Sequence, residues 1–245
     1  NQPYQYLTIK SIIDKCGADF NICLIDDLSF KKILPNWSLN LNNMANPIKT
    51  HLRLLALTTL LNIYGGMIVP SSFVCLKSLK PIYDENISEN KMFVGEFLNR
   101  TSHQSQTSDS LIASTYFMGC NANNDNMMKF IKHQEIQNSS DFVAEMDFLG
   151  SINMWLNNAI KNNEINSING SFIGTKNSGG QPILVDELLG SSYISLNDDS
   201  FGLYIPWNEL INRTALQWFV RLSPEQVLES NTVIGKYLLA SNHVE

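Results

Sequence analysis

The chain is 245 residues long, 44% hydrophobic and 16% charged, which is enough apolar material for a sizeable core and sets disorder aside. Lys and Arg total 17 against 23 Asp and Glu, a net charge of −6 with no basic run, which argues against nucleic acid as a partner. No apolar stretch reaches the roughly 18 residues a bilayer span needs; the longest, Leu54 to Val69, is interrupted by Asn62 and by Gly65-Gly66.

The N-terminus, Asn1-Gln2-Pro3-Tyr4, has no Met and no apolar leader, and predicts that chain is missing upstream, including the start of the fold. Leu7, Ile9, Ile12, Ile13 and Cys16 recur at helical spacing, and Gly17 is the expected C-terminal stop. Phe20 to Ile25 is a short apolar run before Asp26-Asp27 and predicts a buried parallel strand. Leu28 to Leu34 predicts a short helix stopped by Pro35. After Pro47, the apolar positions from Ile48 to Ile63 predict a long buried helix ending at Tyr64-Gly65-Gly66.

Met67-Ile68-Val69 then reads as a short central strand, with Phe73 to Leu76 continuing it beyond Pro70-Ser71-Ser72. Met92 to Phe97 and Ile112 to Met118 are further strands, separated by a polar loop over 99–110. Asn124 to Ile136 and Asp141 to Ile160 predict helices, and 161–170 an Asn-rich linker. A short strand at Phe172-Ile173, apolar segments at Ile183 to Leu189 and Tyr193 to Leu196, and helices broken near Pro224 complete the chain. Alternating helices and strands predict an α/β fold, a mostly parallel Rossmann-like sheet flanked by helices, with a more helical C-terminal region. The expected division is a core over 1–160 and a completing or capping part over 161–245.

Cys16, Cys23, Cys75 and Cys120 match no zinc spacing and contain no CxxC, so buried thiols in a reducing compartment are expected. Six Asn-x-Ser/Thr sequons occur among 29 Asn, a number chance supplies, and they carry no argument for secretion. Only 4 of the 17 basic residues are Arg, and Asn- and Lys-rich usage points to an AT-rich coding genome.

One stretch carries more information. Asn46-Pro47-Ile48-Lys49-Thr50-His51-Leu52-Arg53 leads through ten residues of helix into Tyr64-Gly65-Gly66-Met67-Ile68-Val69. It resembles the DXD-type glycosyltransferases of GT-A-like fold, in which a helix with an exposed Arg leads into Tyr-Gly-Gly, a short strand and an Asp-x-Asp. Phe20 to Asp27 resembles that family's second strand with its terminal acids. Phe117-Met118-Gly119-Cys120 resembles the stretch after its acceptor-side strand, so the likeness spans about residues 20–135. The resemblance implies donor binding by Asp26, Asp27, Lys49, Arg53, Tyr64, Gly65, Gly66, Ser71 and Ser72. It also implies a UDP- or GDP-sugar donor and a glycan or protein acceptor.

The chain departs from the family where the metal would sit. Counted from Gly65-Gly66, the acidic triplet falls on Pro70-Ser71-Ser72, with no carboxylate to hold Mn²⁺ or Mg²⁺. The residues also have plainer readings. Arg53 serves a diphosphate or an ordinary ion pair; Asp26 and Asp27 face the site or cap the helix near Ser29; the paired glycines are needed for the turn whatever the activity. Trp207 and Trp218 stand in an aromatic segment suited to sugar stacking or to a core or interface cluster.

Two functions follow from the resemblance. One is sugar transfer without the metal motif. The other is an inactive structural or interaction protein of that fold, with protein partners, as a component of a large-DNA-virus particle. Host cytoplasm or virus particle is the expected location.

Overall fold

A computed structural model describes residues 2–98, 111–139 and 145–242. The predicted 99–110 loop, the first residues of the predicted 141–160 helix, His103 and His243 lie outside them. In chain order the elements are α1 (Tyr4–Cys16), α2 (Phe30–Ile33), α3 (Ile48–Tyr64), β1 (Gly66–Ile68), β2 (Phe73–Cys75), α4 (Lys80–Asn86), β3 (Phe93–Leu98), β4 (Leu111–Cys120), α5 (Asp125–Ser139) and α6 (Glu145–Lys161). There follow β5 (Asn166–Ile168), α7 (Val185–Leu189), β6 (Gly202–Tyr204), α8 (Trp207–Asn212), α9 (Gln217–Val220), α10 (Pro224–Glu229) and α11 (Val233–Asn242). They form two compact units, the first from Asn1–Ile22, Val69–Pro81 and Asn169–Glu245, the second from Cys23–Ile68 and Ile82–Ile168.

The second unit is built on a four-stranded sheet in the order β1-β4-β3-β5. It is mixed, and the expectation of a mostly parallel sheet is corrected: β1 and β3 both run antiparallel to β4, and only the β3–β5 pair is parallel among the described strands. The cause lies in the connections. A parallel pair needs a crossover between its strands; β5 is reached from β3 only after α5 and α6, whereas β4 is the next strand after β3. β1 is an edge strand, not the central one expected, pairing Gly66 with Cys120 and Ile68 with Met118.

Helix α3 packs on α5, and α6 on β4. On α6, Phe148, Ile152, Leu156 and Ala159 recur at helical spacing and are all buried. With Leu61, Met92, Val94, Met118 and Phe130 they make the core, each large side chain contributing about 1.5–3 kcal/mol by burial. Helix α3 is only half buried: His51, Ala56, Thr58 and Leu61 face inward, while Ile48 stays exposed. The predicted strand at Phe20 to Ile25 does not form, because no partner strand pairs with it among the described residues. Ile22 is 38% and Leu24 is 74% exposed. Cys23 lies on this segment and is exposed, so the expectation of four buried thiols holds for Cys16, Cys75 and Cys120 only.

In the first unit, β2 pairs antiparallel with β6, from Phe73↔Tyr204 to Cys75↔Gly202. Phe73 to Cys75 therefore belongs to a separate ribbon and does not extend β1. Helix α1 packs on β2 and on α11. Tyr4, Leu7, Val74, Leu203, Leu210, Phe219 and Leu238 are among the buried residues of this core. Gly17 stays right-handed (φ −65°), so it ends α1 without the left-handed turn expected of it. Pro224 opens α10 behind a Ser223–Gln226 capping box, which is why the helix breaks there. Phe172-Ile173 lies in a turn, not a strand.

Candidate functional site

The polar site of the second unit starts from the first turns of α3. Lys49 and Arg53 stand one helical turn apart and share a face. Both reach Asp27, which arrives on the segment before α2. Arg53 Nε donates to Asp27 Oδ1 and Nη2 to Oδ2, each at 2.7 Å, and Lys49 Nζ lies 2.9 Å from Oδ2. The Arg53 guanidinium, with Lys49 beside it, holds the Asp27 carboxyl below the usual carboxylate range. The Asp27 side chain is 14% exposed and that of Arg53 is 43% exposed. Lys49 and Arg53 both lie on this one carboxylate, and the neighbouring Asp26 carboxylate brings the local charge to balance.

Asp26, its chain neighbour, does a different job. Its Oδ1 accepts from Ser29 Oγ at 2.6 Å, Ser29 N at 2.8 Å and Leu28 N at 3.1 Å, closing the turn into α2. The Ser29 bonds lower its pKa. Of the two readings of Asp26, the turn is the one its contacts serve.

At the other end of α3, Tyr64 donates its hydroxyl to the Ile33 carbonyl at 2.7 Å. Gly65 takes φ +70° and ψ −169°, a region open essentially to glycine alone, and a Cβ there would meet the Ala122 nitrogen at 2.9 Å. Gly66 has φ +98° with open space around it, and its N–H donates to the Tyr83 hydroxyl at 3.2 Å. Tyr83 in turn donates to the Cys120 carbonyl at 3.1 Å, tying the turn to the end of β4. This tyrosine carries no motif and was not among the predicted site residues.

Ser71 and Ser72 belong to the first unit. Ser71 Oγ lies 3.3 Å from Gln5 Oε1, and its carbonyl accepts from the Thr8 hydroxyl of α1. Ser72 is fully buried, its carbonyl accepts from Ile205 N at 3.1 Å, and its hydroxyl has no partner among the described residues. Neutral hydroxyls, one of them enclosed in a core, do not fit a hard divalent cation. Among the described residues no group of three or more His, Cys, Asp and Glu is placed to hold a metal ion.

His51, given no role from sequence, is 4% exposed on the inner face of α3. Its ring stacks on Phe148 with centroids 3.6 Å apart and planes 13° from parallel, and its Nε2 has no partner among the described residues. Burial pushes its pKa down, with Glu145 opposing. Glu145 and Asp147 occupy the exposed first turn of α6, where carboxylates favour the helix dipole. Trp218 is half exposed and packs edge-on against Phe219 at 5.7 Å. No family model, no curated protein and no solved structure matches the chain.

Proposed function

We propose that this chain is a glycosyltransferase-like protein that has given up metal-assisted sugar transfer and serves as a structural or interaction module. The observation that carries the reading is the closure of Arg53 and Lys49 on Asp27. The cations that the family resemblance assigns to the donor diphosphate are committed to an internal carboxylate. The residues at the family's acidic positions bind α1 through Ser71 or lie in a core, as Ser72 does. What supports kinship with the GT-A-like fold is the helix–Gly-Gly–strand passage from α3 to β1, with left-handed glycines where the family requires them. Partners of such a module are proteins, and the Asn-rich, Arg-poor composition supports a large-DNA-virus particle as its setting.

Titration with UDP- and GDP-sugars, with and without Mn²⁺, tests the reading by calorimetry. No saturable heat is expected up to millimolar ligand. Saturable binding that Arg53→Ala abolishes would overturn it.

A second reading, metal-independent binding of a sugar nucleotide, is favoured by the partial exposure of the Arg53 side chain. A diphosphate would then have to displace Asp27 from Arg53, and Asp27→Asn would tighten nucleotide binding.

A further inference from the structure

The first unit brings together two thiols far apart in sequence. Cys16 ends α1 and Cys75 ends β2; they are 59 positions apart, 1% and 0% exposed, and their sulfurs lie 3.7 Å from one another. That is van der Waals contact between sulfurs. A disulfide needs about 2.05 Å, so closure asks for a movement of under about 2 Å between two side chains already facing each other. The local hydrogen bonds hold them there. Cys75 N donates to Ser11 Oγ of α1 at 2.9 Å, and the Cys75 thiol donates to the Lys77 carbonyl at 3.1 Å.

We propose that Cys16 and Cys75 are a redox clasp, a thiol pair that oxidises to an intramolecular disulfide and locks the end of α1 to β2. This goes beyond the functional reading above and does not depend on it.

The pairing shifts the two thiols in opposite directions. The contact with Cys75, with an N–H from Leu79, lowers the Cys16 pKa, against burial and the nearby Asp19. The same pairing, with burial, pushes Cys75 up. With Cys16 as the attacking thiol, Cys75 is the resolving one.

With a small-molecule disulfide such as oxidised glutathione as oxidant, the chemistry balances in two exchanges. The Cys16 thiolate attacks one sulfur of the oxidant, whose S–S bond breaks and releases one thiolate. Cys75 gives up its proton and attacks the Cys16 sulfur of the mixed disulfide, releasing the second. Two protein thiols lose two electrons and two protons, and one oxidant disulfide becomes two thiols.

Because both cysteines are buried, oxidation waits on opening of the α1–β2 contact and is slow in the folded protein. Once formed, the bond closes a ring over a long stretch of chain and constrains the unfolded state, which raises the melting temperature by about 5–10 °C. The remaining thiols are not so placed: Cys23 is exposed, and Cys120 is buried and lies 3.6 Å from the Leu61 carbonyl.

The test uses the full chain with Cys23→Ser, which removes the exposed competitor. The protein is unfolded and refolded in glutathione buffers of graded ratio, so that burial cannot hide the equilibrium. Non-reducing peptide mapping is expected to show a monomeric Cys16–Cys75 cross-link with loss of two hydrogens. The melting temperature should rise with the cross-linked fraction and fall back on addition of dithiothreitol. Cys16→Ser and Cys75→Ser in the same background should abolish the shift. If either fails to fold, the mapping in the parent decides alone. Free, alkylatable Cys16 and Cys75 in the most oxidising buffer would overturn the proposal, as would linkage to Cys120, linkage between chains, or a cross-link that lowers the melting temperature.

Discussion

Arg53 meets Asp27 edge to edge, with two parallel N–H···O bonds of 2.7 Å spanning 26 positions of sequence. A planar fork on a carboxylate is among the stronger ion pairs, because geometry and charge both favour it. Here it fastens the segment before α2 onto α3, and Lys49 takes up the same carboxylate oxygen.

The worth of that pair is measurable by a double-mutant cycle. Arg53 is 43% exposed, so solvent screening keeps the coupling well below that of a buried pair. Urea unfolding of Asp27→Ala, Arg53→Ala and the double variant should give a coupling of about 1–2 kcal/mol. Asp27→Ala alone should cost more than Arg53→Ala, because it strands two cations. A coupling near zero would mean that the pair does not organise this segment.

Acid should act through the same residue. The folded pKa of Asp27 is lowered, so the unfolded chain binds the proton first as pH falls. Its contribution is complete above the ordinary Asp value of about 3.9 and is lost as pH drops through the lower folded value. Melting curves from pH 6 to pH 2.5 should fall less steeply below pH 4 for Asp27→Asn than for the wild type. Asp26 and Glu225 are shifted the same way, so some slope remains.

The paired glycines should be unequal. Gly65 combines a backbone region other residues avoid with a close approach to Ala122 N, whereas Gly66 has positive φ alone and open space. Gly65→Ala should cost about 2–4 kcal/mol and Gly66→Ala about 1–2 kcal/mol by chemical denaturation. Equal costs would show that the contact with Ala122 is not limiting.

The legible parts of this fold are those with a long local period. Helix α3 is framed by Pro47 and by Gly65-Gly66, and α6 repeats Phe148, Ile152 and Leu156 on one face, so both can be read without knowing what covers them. Phe20 to Ile25 misleads because a short apolar run says nothing about its neighbours, and Leu24 ends up 74% exposed. β5 is three residues, Asn-Ser-Ile, with no pattern; only its pairing with Phe93 to Gly95 makes it a strand. Strand direction was beyond reach for the same reason, since it depends on which strands meet. At the site, Arg53 and Asp27 were each visible as candidates, but their union was not, because nothing local links residues 26 positions apart.

His51 should add a second pH dependence. Burial against Phe148 lowers its pKa below the ordinary value of about 6.5, so below that value the unfolded state takes up a proton that the folded state refuses. This contribution is complete above pH 6.5 and is lost as pH falls through the folded value. His51→Leu should flatten the difference in melting temperature between pH 7.5 and pH 5. An unchanged difference would show that burial does not shift the His51 pKa.

The proposed absence of a metal site at Ser71 and Ser72 is tested by placing an acid there. Ser72 is fully buried with a hydroxyl that has no partner among the described residues, whereas Ser71 is exposed. Removing an unsatisfied buried hydroxyl gains back part of its desolvation cost, so Ser72→Ala should be neutral or stabilising by up to about 1 kcal/mol. Ser72→Asp would place a carboxylate in the same enclosed position without a counter-charge, at a cost above about 3 kcal/mol. Ser71→Asp, losing only a 3.3 Å bond to Gln5, should stay within about 1 kcal/mol of wild type. Thermal melts with and without Mn²⁺ separate the outcomes. If Ser72→Asp melts like the wild type and Mn²⁺ raises its melting temperature, the position is still shaped as a metal ligand, and the non-catalytic reading of this chain fails.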